Sequence, residues 1–120
     1  MRNLLERHFV RVVLFLLALT FILYFPIIFN TSIFFNRGGD LQEYYWPITY
    51  FIREQVLHNH TLPLWNNMFF SGSPLLPDPQ AFLFYPPTLL FLFLPMNLAY
   101  MISLLLHTFF GGLGAYFAAK

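Results

Sequence analysis

The sequence predicts an all-α membrane protein, with two transmembrane helices joined by a large extracytoplasmic loop that carries interfacial helices. The first observation behind this is composition: of 120 residues 58% are hydrophobic, 22% aromatic and 9% charged, where an ordinary soluble domain carries roughly 25% charge. So short a chain has a large surface for its volume and cannot hide that much apolar area from water. The second is distribution. No charged residue stands between Arg11 and Arg37 or from Pro79 to Ala119, and four of the five carboxylates lie between those tracts. The third is exclusion. Disorder needs low hydrophobicity with high net charge, a net charge of +1 offers no basic stripe to nucleic acid, and without cysteine there is no disulfide framework or thiol chemistry.

Residues 1–11, with Arg2, Arg7 and Arg11, read as a cytoplasmic N-terminus. Val12 to Phe29 is apolar except for Thr20 and Pro26 and forms the first span, since about 20 residues at 1.5 Å each cross the hydrocarbon. The apolar run is too long for a secretory signal, and no small-residue cleavage site follows it. Residues 30–87 form the loop. Within it, Leu41, Tyr45, Ile48, Phe51, Ile52 and Val56 recur at helical spacing, which predicts an amphipathic helix over about 41–58 lying along the membrane surface and kinked or restarted at Pro47. From Thr61 to Pro87 the prolines and Gly72 break any long element, leaving an ordered, aromatic-rich loop. Residues 88–95, bounded by Pro86-Pro87 and Pro95, are too short to cross and read as an interfacial or re-entrant helix. Leu98 to Ala119 is the second span, with Asn97 as its N-cap.

Orientation follows from the basic residues. Arginines precede the first span and Lys120 follows the second, while the loop holds Arg37 and Arg53 against Asp40, Glu43, Glu54 and Asp78. Both termini are therefore expected in the cytoplasm and loop 30–87 outside.

The loop also holds the residues that can carry chemistry. Asp40 follows Gly38 and Gly39, whose freedom lets a backbone approach a ligand closely. A carboxylate at the bilayer edge can act as a general base toward a hydroxyl or hold a divalent metal ion. Asp40 with Glu43 three residues on is also a capping-box pattern, and the two roles are compatible. Asp78, between Pro77 and Pro79, is either a second acidic site or a turn starter. Arg37 and Arg53 suit a phosphate or anionic headgroup, or simply an interface. His58 and His60 read as a polar helix end, while His107, mid-span, belongs against a bundle interior, bonded to a neighbouring helix. Asn30-Thr31-Ser32 and Asn59-His60-Thr61 match the weak N-glycosylation pattern. Gly111 with Ala115, and Gly114 with Ala118, around Gly112, make small-residue steps on which other helices can pack in lipid.

Gly39-Asp40-Leu41-Gln42, Tyr45-Trp46-Pro47, Leu62-Pro63-Leu64-Trp65-Asn66, Gly72 with Pro74-Leu75-Leu76, Asp78-Pro79-Gln80, Phe84-Tyr85-Pro86-Pro87 and Leu106-His107 with Gly112-Leu113-Gly114 follow one another in an order that resembles the start of the bacterial YfhO family. That family is similar to the GT-C glycosyltransferases, which take a sugar from a polyprenyl-phosphate carrier at the outer membrane face. The resemblance implies a GT-C-like N-terminal segment in a multi-pass bacterial membrane protein that modifies cell-envelope glycans or lipids. On that resemblance Asp40 would be catalytic base or metal ligand and a divalent ion the candidate cofactor; the substrate-binding candidates are Arg37, Gln42, Trp65, Asn66, Asp78 and Gln80, of which Trp65, Asn66, Asp78 and Gln80 match family positions that bring no role with them. The implied partners are the lipid bilayer, the polyprenyl-phosphate sugar donor and further transmembrane helices, with no nucleic acid. Because the family has many more than two spans, the chain is expected to be an N-terminal portion that is inactive alone. The rival reading is a non-catalytic two-span protein that packs against partner helices or lipid.

Overall fold

A computed structural model describes residues 2–30, 38–69 and 71–120. The chain divides into two compact units, residues 1–30 with 101–120, and residues 31–100.

The first unit is a helical hairpin. Helix α1 (Arg2–Phe29) pairs with the later part of α4 (Met96–Ala118). Tyr24 shares a hydroxyl hydrogen bond with Thr108 (3.0 Å), the Leu16 side chain fills the space beside Gly112, and Phe9 meets Phe117 at 5.8 Å between ring centroids. Numbers fall along α1 as they rise along α4, so the pair is antiparallel. The seam on α1 is Leu16, Thr20 and Tyr24 at four-residue steps, with Thr20 buried. Pro26 sits inside α1; it removes one helical donor, a loss tolerated in spans whose backbone is otherwise satisfied.

Both helices are long and apolar enough to cross a membrane, Glu6–Phe29 with mean hydropathy 2.8 and Met96–Ala118 with 1.5. In each, only 6% of the most apolar window is buried by protein, which is not how the core helix of a soluble domain is covered. The helix boundaries differ from the expected spans. Helix α1 starts at Arg2 rather than Val12, because arginine and glutamate are good helix formers and composition marks the hydrocarbon, not the helix end. Helix α4 starts at Met96, with the Ala99 amide donating to the Pro95 carbonyl at 2.9 Å, so Asn97 lies in its first turn and is not the N-cap.

The second unit is built around α2 (Trp46–Leu57), which is preceded by a π-helical turn at Leu41–Tyr45. The Trp46 amide closes that turn on the Leu41 carbonyl, and Pro47 takes an early position of α2 where its missing N–H costs nothing. The expected restart at Pro47 is thus seen as a change of helical pitch. Two strands of two residues each, β1 (Trp65–Asn66) and β2 (Ser73–Pro74), pair antiparallel with Trp65 opposite Pro74 and Asn66 opposite Ser73. A 3-10 turn at Pro86–Leu89 runs into the short helix α3 (Leu90–Phe93), which places regular structure where the prolines at 86, 87 and 95 bound a short helix.

The apolar stripe of α2 corrects one expectation. Ile48 and Ile52 are buried with Leu75 and Ala81, and Tyr44, Phe51, Val56, Phe69 and Leu83 pack around them. The face assigned to the membrane surface is turned onto the chain's own loop, because Leu75 and Ala81 offer it a closer apolar partner. A second cluster, Phe91, Met96 and Ala99 with Trp46, Leu90, Leu94 and Tyr100, lies on another side of α2. Tyr100 donates to the Thr49 hydroxyl at 3.0 Å, which itself donates to the Tyr45 carbonyl at 2.7 Å.

Candidate functional site

The site grows from two glycines. Gly38 and Gly39 take φ of +66° and +95°, in the region where only glycine is unstrained. This turns the chain so that the Gly39 carbonyl accepts the amides of Gln42 (2.9 Å) and Glu43 (3.0 Å). Gly39 backbone therefore opens the helix. Asp40 already has helical dihedrals and makes no side-chain cap, so the capping-box reading does not describe it. Its carboxylate is exposed, as is Gln42.

One turn after Asp40, Tyr44 gathers the rest. Its ring stacks on Phe69 (5.6 Å) and meets Tyr45 edge-on (5.3 Å), and its hydroxyl donates to Oδ2 of Asp78. The other carboxylate oxygen, Oδ1, accepts the Gln80 amide at 2.9 Å. Asp78 is thus a turn starter whose second oxygen clamps the π turn. Burial first, then the hydrogen bond and negative charge of Asp78, push the Tyr44 hydroxyl up to about 12, so it stays a proton donor through the neutral range. Tyr44 was not singled out from sequence. The available signal was its position four residues after Asp40, but nothing in spacing pairs it with a carboxylate 34 residues away.

Gln80 joins this pair only through its backbone amide and is itself exposed, and the remaining candidates stand apart. Trp65 keeps 59% of its surface exposed while its indole lies over Gly72, where a Cβ would come within 2.8 Å of Nε1. Asn66 is buried, its Oδ1 accepting the Met68 amide at 2.8 Å. It therefore stabilises the loop between the strands and is not open to a ligand. Arg37, with Thr31 and Ser32 of the first glycosylation pattern, lies outside the described residues. Arg53 is not spread over a headgroup: its Nη1 donates to the carbonyls of Phe91 (3.0 Å) and Leu94 (2.6 Å), satisfying the C-terminal end of α3. His58 is exposed at the end of α2, 3.6 Å from Glu54.

Among the described residues no group of three or more histidine, aspartate or glutamate side chains converges. Asp40 therefore gains no companion ligands from them.

On α4, no atom of the described residues beyond the helix's own backbone lies within 4 Å of where a Cβ on Gly111 or Gly114 would stand, and Ala115 is exposed. The glycine that packs on α1 is Gly112, about 100° around the helix from Gly111. His107 donates from Nδ1 to the Ser103 carbonyl of its own helix at 2.6 Å, because a carbonyl one turn back lies within reach of its ring.

No protein-family model, curated protein or solved structure matches the chain.

Proposed function

We propose that the chain is the N-terminal part of a polytopic, GT-C-like glycosyltransferase of the YfhO type, with loop 30–87 outside the membrane and both termini in the cytoplasm. Asp40 takes the proton of an acceptor hydroxyl. The acceptor oxygen bonds to the anomeric carbon of the sugar, and the carbon–oxygen bond to the polyprenyl phosphate breaks, the phosphate keeping the electron pair. Further spans complete the donor site. The observation that carries this reading is the state of Asp40, an exposed carboxylate on a glycine-set turn that no capping bond occupies. Arginines before the first span support the orientation. Replacing Asp40→Asn in the protein as encoded in its natural frame is expected to lower sugar transfer by about 10²–10⁴-fold with unchanged membrane insertion. Undiminished transfer would end the assignment.

One observation favours a second reading, a non-catalytic two-span protein that packs on partner helices or lipid. The Gly111, Gly114 and Ala115 face is left open by α1, as a docking face requires. On that reading Asp40→Asn leaves the protein's cellular role intact.

A further inference from the structure

We infer that the unit of residues 31–100 is anchored to the phospholipid bilayer through the segment that carries the exposed side chains of Phe82, Phe84, Leu89 and Phe93, and not through the amphipathic helix α2. The apolar stripe of α2 is consumed by Leu75 and Ala81, and the apolar side chains α2 leaves exposed are Tyr50 at 48% and Leu57 at 36%. The segment 82–93 presents more apolar surface. Phe84 is 71% exposed, Leu89 55% and Phe93 78%, and Leu89 and Phe93, four residues apart, flank the short helix on the side away from Phe91, which is buried against Met96, Ala99 and Tyr100. The Thr88 hydroxyl donates to the Phe82 carbonyl at 2.7 Å, tying the Phe82 turn to the start of the 3-10 helix, so the four side chains are carried by one bonded segment.

Three features select a bilayer as the occupant. There is no charged residue from Pro79 to Ala119, so entry into the headgroup and upper acyl region desolvates no charge of the segment's own. Phe93 precedes the start of α4 by three residues, a contour of at most about 10 Å, so this edge is held close to the start of a membrane-crossing helix by the chain itself. The carbonyls of Phe91 and Leu94, which would be costly to bring out of water, are already satisfied by Arg53 from the protein side. Aromatic and aliphatic side chains presented this way suit interfacial depth, and a patch of this kind marks an interaction surface.

This proposal rests on α1 and α4 crossing the membrane and is independent of glycosyl transfer. These 120 residues contain no cysteine, so single spin labels can be placed cleanly on the chain in vesicles of phosphatidylethanolamine and phosphatidylglycerol. Labels at Phe84→Cys, Leu89→Cys and Phe93→Cys are expected to collide more with oxygen than with a water-soluble nickel chelate, and to lose chelate collisions relative to Glu43→Cys and His58→Cys. Phe110→Cys, on the exposed surface of α4, reports the span. Chelate-accessible labels at 84, 89 and 93 with a lipid-exposed 110 overturn the anchoring alone; a chelate-accessible 110 overturns the spanning helices and the anchoring together. Labels at 84, 89 and 93 shielded from both reagents mean a protein covers this edge, which also overturns it.

Discussion

In the loop unit Ile48 and Leu75 keep 1% of their surface exposed and Ile52 3%, while Phe15, Ile22 and Leu23 of α1 show 65%, 68% and 58%. The side chains are equally apolar, and what differs is the medium each was left to meet. In the loop unit they are removed from water by one another, so shape and volume matter. In the hairpin Leu16, Thr20 and Tyr24, with Phe9 against Phe117, make the contact, and the remaining surface is exposed on helices long and apolar enough to cross a membrane, a medium in which packing between helices gains nothing from the hydrophobic effect. One chain therefore uses hydrophobicity as an internal adhesive in one region and, in the other, presents it outward on helices of membrane-crossing length and hydropathy.

That contrast breaks most directly by cutting methyl groups in each region. Ile48→Ala is expected to destabilise the loop unit by about 2–5 kcal/mol, read as faster proteolysis and hydrogen exchange across 38–100 in a bilayer mimetic, whereas Ile22→Ala should cost less than about 0.5 kcal/mol. Equal losses would show that the hairpin is packed as tightly as the loop. Next in size is Gly72→Ala. The left-handed φ of +107° and the indole of Trp65 within 2.8 Å of the new Cβ should cost about 1–3 kcal/mol and shift the Trp65 fluorescence to the red, with the spans unaffected; an unshifted emission would mean that Gly72 does not seat the indole.

A pH series sharpens the same comparison. The Tyr44 hydroxyl titrates near 10 when unfolded and is raised to about 12 in the fold, so the folded state binds the extra proton between those values. Its stabilising contribution is present below pH 10, falls as pH rises above it and is gone once pH passes 12. Tyr44→Phe should remove that alkaline slope in the stability of the loop unit and shift the onset of phenolate ultraviolet absorbance; a wild-type slope retained in the variant would assign the effect to another group. The smallest expected change is Tyr24→Phe, which deletes the bond to Thr108 between the spans and should cost about 0.6 kcal/mol, measured as helix-pair unfolding in detergent mixtures. A loss of several kcal/mol would make the hairpin, too, a structure held by specific bonds.

Much of the helical framework was legible from the chain itself, because it depends on local rules. Uncharged apolar tracts gave both long helices, the spacing of Ile48 and Ile52 gave α2, and Pro86, Pro87 and Pro95 bounded the short helix. The strands of two residues each were not legible, since Trp65-Asn66 and Ser73-Pro74 are too short for any alternation to register. The candidate site was half legible. Asp40 stood out by its glycines and its carboxylate, but its capping role did not survive, because Gly39 offered a backbone carbonyl in the place a side chain would have filled. Asp78 was recognisable as a turn starter from its flanking prolines, yet its bond to Tyr44 was invisible.

The sequence by itself determined which residues share a helix face and where charge is absent, because periodicity and composition act over a few residues. It did not determine what stands opposite each face. Only the tertiary structure turned the apolar stripe of α2 onto Leu75 and Ala81, set Gly112 against Leu16 while Gly111 and Gly114 stayed open, joined Tyr44 to Asp78 and sent Arg53 to the end of α3. Each of these joins residues far apart along the chain. Such contacts form only where the gain from packing or from satisfying a buried polar group exceeds the entropy of closing the intervening loop, and that balance depends on both partners at once.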